Sequence, residues 1–178
     1  MIDENKSIIF IDLDSTLIKT LSRKKLQVCI ADCTPIWKTW NALRDWTELR
    51  GERGGWIFIV SNQGGIEKHI GSTEKFLKVK FEYITAGLQE YVDKSDSPRV
   101  KVDYIYCPTV DKTCPDRKPG TGMLTTILGR WNLLGTDKSE MIFIGDASGK
   151  DINPKAFSDS DLKCAENFGI DYLDVLSV

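Results

Sequence analysis

Histidine is nearly missing from this chain of 178 residues, which holds one, His69. That scarcity argues against hydrolytic sites built on several His ligands and against a Ser-His-Asp triad accompanied by metal histidines. No C-x-x-C pair occurs among the five cysteines Cys29, Cys33, Cys107, Cys114 and Cys164. An odd, scattered set fits reduced thiols better than a disulfide framework, so an intracellular, reducing compartment (nucleus or cytoplasm) is expected. A cysteine-nucleophile phosphatase is excluded as well, since the sixth residue after each cysteine is Pro35, Thr39, Thr113, Gly120 or Ile170 and never Arg. A phosphate-binding G-x-x-x-x-G-K loop is absent: Gly149-Lys150 has Ile144 where the first glycine belongs. No apolar run approaches the roughly 18 to 20 residues of a membrane span, and the opening MIDENKS is too polar for a signal peptide. Charge of either sign is not in excess. The net charge of −2 argues against bulk coating of nucleic acid or membrane, although a local basic patch remains open.

What is present is ordinary for a soluble globular protein, 41% hydrophobic and 28% charged, and the length suits one domain over residues 1–178. A monomer that touches no membrane is expected. Four short apolar runs stand out: SIIFI (7–11), WIFIV (56–60), VDYIYC (102–107) and MIFIG (141–145). Most are nearly continuous and rich in β-branched and aromatic residues, as strands covered on both faces of a parallel sheet are. Between them, 37–50 and 73–92 carry helical apolar spacing, the second entered through Ser72 as N-cap; 121–134 and 159–168 predict two further helices. Strands alternating with helices imply an α/β fold with right-handed crossovers.

In such sheets ligands sit beyond the carboxyl ends of the strands. There the first run ends in Asp12 and Asp14, the second in Ser61-Asn62-Gln63-Gly64-Gly65 and the last in Gly145-Asp146, with Arg117-Lys118-Pro119-Gly120 in the preceding loop. Asp12 and Asp14, one residue apart, share a face and would repel each other unless a cation sits between them. A divalent cation and a phosphate at adjacent positions suit this edge. The chemistry left after the exclusions is a carboxylate nucleophile that forms an aspartyl-phosphate. Asp12 is the candidate nucleophile and Asp14 the general acid and base. Asp12, Asp146 and the main-chain carbonyl of Asp14 are expected to hold Mg²⁺, while Ser61 and Lys118 hold phosphate oxygens.

These motifs resemble the haloacid dehalogenase superfamily: DLDST with Asp12, Asp14 and Thr16, then Ser61, Lys118 and Gly145-Asp146, in the superfamily's order. Within it, IDLDSTLIKT, IFIVSNQGGI, DRKPGTGML, IFIGDASGK and FSDSDLKCAENFGI are similar to the polynucleotide 3′-phosphatases, in their stand-alone form without a kinase segment. The resemblance implies a Rossmann-like core with little or no cap, Mg²⁺ as cofactor, and DNA 3′-phosphate ends as partner. It also implies roles for Thr16 and Asn62 toward substrate and for Asp151 as a further metal carboxylate; Lys68, which follows the SNQGGI loop, is placed by position to face substrate.

Two alternatives are weighed. Histidinol-phosphate and heptose-bisphosphate phosphatases share the SNQ and RKPGTGM stretches, but their zinc loop would need ligands where this chain has Thr109 and Asp116 beside Cys107 and Cys114. A non-catalytic module that binds nucleic-acid ends would not need Asp12, Asp14, Lys118 and Asp146 together. Asp161 matches an aspartate in the C-terminal segment of the polynucleotide phosphatases, but Ser158-x-x-Asp161 also reads as a capping-box-like helix start, and that structural reading is preferred. The basic run Arg23-Lys24-Lys25 is placed on a flap that could meet a nucleic-acid backbone. His69 is read as a surface residue, and most of the tryptophans as core.

Overall fold

The computed structural model describes residues 1–22, 30–65, 73–94 and 99–178. Its centre is strand β1 (Ile8–Ile11), every residue of which is buried. β1 is flanked on one side by β4 (Gly55–Asn62) and then β5 (Val100–Cys107), and on the other by β6 (Met141–Gly145) and β7 (Asp171–Asp174), all parallel. The register lines up like with like: Ile9 lies between Ile57 and Ile142, and Phe10 between Phe58 and Phe143. Because side chains alternate across a strand, the Ile rung faces one helical layer and the Phe rung the other. This explains the unbroken apolar runs: both faces are covered.

On the isoleucine face, Ile9, Ile11, Ile57, Ile59 and Ile144 pack against Trp40, Leu43 and Trp46 of α1 (Trp37–Arg50) and against Leu77, Phe81, Ile84 and Leu88 of α2 (Thr73–Val92). On the phenylalanine face, Phe10, Phe58, Val60 and Phe143 meet Met123, Leu124, Ile127 and Leu128 of α3 (Gly122–Arg130) and Cys164 and Ala165 of α4 (Ser160–Phe168). An antiparallel hairpin, β2 (Ile18–Thr20) with β3 (Cys33–Pro35), rises between β1 and α1. At its loop end, beyond the Thr20–Cys33 pair, Asp32 accepts from the Ser22 amide at 2.7 Å and the Ser22 hydroxyl at 2.8 Å.

The α/β expectation and four of the five sheet strands, β1, β4, β5 and β6, are as read from sequence. The third helix is not: it was expected to reach residue 134 and stops at Arg130. Asn132 takes a left-handed conformation (φ 58°), its amide donates to Gly129 O, and Leu133 N donates to Leu128 O, a hydrogen-bonded helix stop. The apolar Leu133 and Leu134 had disguised that stop. β7 and the hairpin went unrecognised, because DYLD and the three-residue strands carry too few apolar residues to stand out. Trp40 and Trp46 are core, whereas Trp37 and Trp131 are exposed. The four described cysteines form no disulfide. No helix among the described residues is long and apolar enough to cross a membrane. The Ser72 cap, Lys68, His69, Cys29 and the basic run 23–25 lie outside the described residues.

Candidate active site

The carboxyl ends of β4, β1 and β6 lie side by side at one edge of the sheet. Asp12 prolongs β1 by donating its amide to Ile144 O of β6 at 2.9 Å, which leaves its side chain at the carboxyl edge. Leu13 turns inward and its carbonyl accepts from the amides of Leu17 and Ile18, so the chain doubles back at once. Ser15 takes the left-handed conformation (φ 66°) needed for that reversal, and Asp14 returns to the same edge as Asp12.

Lys118 Nζ occupies the middle of the edge. It donates to Asp12 Oδ1 at 2.6 Å and Val60 O at 2.9 Å, and it pairs with Asp161 Oδ1 at 2.7 Å. Carboxylate oxygens of Asp12, Asp146 and Asp161 lie within 4.8 Å of one another. One ammonium cannot balance three carboxylates in a buried place. Burial, with help from Asp161 and Asp14 and against the pull of Lys118, pushes Asp12 up to about 8. Burial and Asp161 push Asp146 up to about 6. For Lys118 burial works downward, but Asp12 and Asp161 outweigh it and hold the ammonium above its ordinary value. The cluster is short of positive charge, and its donors are all hard oxygens. It therefore fits a small divalent cation such as Mg²⁺ and does not fit a thiolate-preferring metal.

The sequence placed Asp12, Lys118 and Asp146 at this edge, and the structure brings them together. Asp161 corrects the capping-box reading. It is 1% exposed, and one of its carboxylate oxygens also accepts from the Ala147 amide at 3.2 Å, while its own amide donates to Ala147 O. Only a glycine at 145 permits this approach, for a Cβ there would lie 2.2 Å from Asp161 Oδ2. Asp151 is exposed and is not among the three clustered carboxylates, because the chain leaves the edge in the turn that follows Gly149 (φ 82°). Thr16, expected to face substrate, is wholly buried, and its hydroxyl finds no partner among the described residues. Asn62 spends both ends of its amide on the Lys118 backbone, donating to Lys118 O at 3.0 Å and accepting from Lys118 N at 2.9 Å. It therefore positions the lysine loop and does not turn outward to a substrate.

Two residues that sequence reasoning passed over complete the edge. Gln63 is 3% exposed and its Nε2 donates to Asp14 Oδ2 at 2.7 Å and to Ser61 Oγ at 2.8 Å. Lys80 of α2 is 1% exposed and donates to Asp14 Oδ1 at 3.3 Å. The available signal was periodicity: Lys80 falls on the apolar stripe of α2, where a lysine is out of place unless it is paired. The arrangement can present Asp12 to an electrophile, balance developing negative charge with Lys118, and move a proton at Asp14.

A family model described as polynucleotide kinase 3 phosphatase matches residues 7–174. The chain is 32% identical over 171 residues to the bifunctional polynucleotide phosphatase/kinase of Schizosaccharomyces pombe, a match over 95% of this chain and 36% of that protein. The chain thus spans about a third of the length of that curated relative. In fold it is similar to a D,D-heptose 1,7-bisphosphate phosphatase from B. bronchiseptica crystallised with magnesium and phosphate. The TM-score is 0.65 at 17% identity, over 93% of this chain and 78% of that one.

Proposed function

Because the chain belongs to the polynucleotide kinase 3 phosphatase family, phosphatases on a haloacid dehalogenase-type core, we propose that it removes 3′-phosphates from DNA ends through an aspartyl-phosphate on Asp12. The observation that carries the reading is the joint placement of Asp12, Asp14, Asp146, Asp161 and Lys118 at one sheet edge, within a family match that spans nearly the whole chain.

Lys118 engages Asp12 Oδ1, so the other carboxylate oxygen is the nucleophile. It attacks the phosphorus, the bond from phosphorus to the 3′ oxygen breaks, and Asp14 gives that oxygen a proton. Water then attacks the phosphorus of the aspartyl-phosphate, Asp14 takes the proton back, and inorganic phosphate leaves with the Asp12 carboxylate restored. Ser61 and Lys118 hold the remaining phosphate oxygens, and Asn62 keeps the Lys118 loop in place. Asp12, Asp146 and Asp161 would hold Mg²⁺, which when bound neutralises repulsion between the nucleophile and the phosphate.

The small-metabolite alternative has less support. The likeness to the heptose phosphatase is one of fold, and among the described residues Cys107 and Cys114 belong to no cluster of three or more metal-ligating groups. The deciding experiment is a panel of phosphorylated substrates at equal enzyme concentration. A 3′-phosphorylated oligonucleotide should be the best of them; preference for histidinol phosphate or a heptose bisphosphate would overturn the DNA reading and leave the phosphatase chemistry.

A further inference from the structure

Helix α2 turns an apolar stripe to the sheet: Leu77, Phe81, Ile84 and Leu88 are all buried. Lys80 sits in the same stripe and is 1% exposed. An ammonium carried into such a place is tolerated only when its charge and donors are engaged. Its Nζ lies 3.3 Å from Asp14 Oδ1 and 3.4 Å from Gln63 Oε1. Gln63 in turn donates to Asp14 Oδ2 at 2.7 Å and Ser61 Oγ at 2.8 Å. Each oxygen of the Asp14 carboxylate therefore receives a donor from a different element, one from the residue after β4 and one from α2.

Lys80 also decides which way Gln63 faces. An ammonium has donors and no acceptor, so it must meet the amide oxygen of Gln63 and turn the amide nitrogen toward Asp14 and Ser61. With the amide reversed, Gln63 would set an oxygen against a carboxylate. Asp14 needs this support. It stands on a sharp turn beside Ser15, and its side chain is 35% exposed.

We infer that Lys80 is a positioning residue for the proton-transfer step: acting through Gln63 and directly, it fixes the Asp14 carboxylate in the orientation that reaches the leaving oxygen. This rests on the reading of Asp14 as the acid and base given above. Lys80 touches no substrate atom in it. Its contribution is confined to the steps in which Asp14 gives or takes a proton, and this confinement sets it apart from a lysine that merely helps the fold.

The test uses Lys80→Met, close in volume, and Lys80→Gln, which keeps a neutral donor, each checked for folding by its thermal melt. First turnovers are followed on two esters: glycerol phosphate, an alkyl ester whose leaving oxygen needs a proton, and p-nitrophenyl phosphate, whose leaving group departs as the anion. The first-turnover rate on the alkyl ester should fall about 10- to 100-fold, while the p-nitrophenol burst changes by less than about 3-fold. In an Asp14→Asn background, Lys80→Met should add no further loss. Equal losses on both esters, or a full additional loss in the Asp14→Asn background, would overturn the inference. If Lys80→Met folds poorly, Lys80→Gln reads the same split. A wrong choice of natural substrate shows up separately, as poor turnover of 3′-phosphorylated DNA by the unaltered protein.

Discussion

Asn62 and Lys118, 56 residues apart in sequence, are joined backbone to side chain by two reciprocal hydrogen bonds of 3.0 and 2.9 Å. The lysine loop is thus hung on the end of β4, and the Lys118 ammonium arrives between Asp12 and Asp161 already aligned. Asn62→Ala removes both bonds without touching a charged group. It should lower kcat about 10- to 100-fold with a smaller change in KM, as loss of alignment does. Steady-state kinetics check this, and unaltered kcat would show that the loop holds itself.

Asp12→Asn should lower turnover by several orders of magnitude, because an amide cannot form the acyl-phosphate, while the fold survives a change that nearly preserves shape. Circular dichroism and single-turnover assays with labelled phosphate read the two parts. Retained turnover in the folded variant would rule out the aspartyl-phosphate.

The parts of this edge that sequence reveals are those that end a strand. Asp12, Ser61, Lys118 and Asp146 each follow an apolar run or sit in a short proline-glycine loop, and local pattern suffices to place them. Asp161, Gln63 and Lys80 owe their roles to partners far along the chain: Lys80 and Asp14 are separated by 66 residues. Asp161 moreover sits in the first turn of α4 after Ser158, where local rules favour a cap. The same logic holds in the fold. β1, β4 and β6 are legible because burial on both faces leaves no polar gaps, and β5, at one margin, because it keeps a run of β-branched and aromatic residues, whereas the short β7 at the other margin and the helix stop at Asn132 are settled by neighbours and backbone conformation.

Gly145→Ala tests whether the approach of Asp161 matters. The added methyl would stand 2.2 Å from Asp161 Oδ2, so either the carboxylate or β6 must shift. Activity should drop at least about 10-fold and the response to Mg²⁺ should weaken, since a displacement of about 1 Å at a site costs that much or more. Wild-type kinetics in this variant would remove Asp161 from the working site.

Metal dependence should carry a pH signature. Asp12 is raised to about 8 and Asp146 to about 6, so the metal-free fold retains protons that the unfolded chain would have lost from about pH 4 upward. A carboxylate whose folded value is raised makes the fold less stable as pH climbs from its unfolded value toward its folded one. A cation removes that cost, because it binds the ionised form and displaces the protons. Chelator should therefore lower Tm, Mg²⁺ should restore it, and the gain should be larger at pH 8 than at pH 6. Asp146→Asn should shrink the gain. A gain with Zn²⁺ and none with Mg²⁺, or stoichiometric bound zinc, would favour the metabolite-phosphatase alternative.

The proposed substrate is favoured by how little of the described chain is available to close over the edge. Between β1 and α1 the described residues are used by the β2–β3 hairpin, and between β4 and β5 they form the single helix α2. A small metabolite is held tightly when the protein surrounds it. A polymer end needs only its terminal phosphate inside and can leave the rest of its backbone across the rim. The cations placed to meet that backbone by sequence are Arg23 to Lys25 and Lys68, and their contribution would be electrostatic, since the chain as a whole carries a net charge of −2. An oligonucleotide 3′-phosphate should accordingly be hydrolysed with far higher kcat/KM than histidinol phosphate or a sugar phosphate. That lead should narrow several-fold when salt is raised from about 50 to 200 mM, because backbone contacts are screened while the chemistry at Asp12 is not. Replacing Arg23, Lys24 and Lys25 together by Gln should flatten the salt dependence and leave p-nitrophenyl phosphate hydrolysis unchanged. A steep salt response that survives the triple replacement would locate the backbone contacts elsewhere on the rim, and a metabolite that outruns the oligonucleotide at moderate salt would end the DNA assignment.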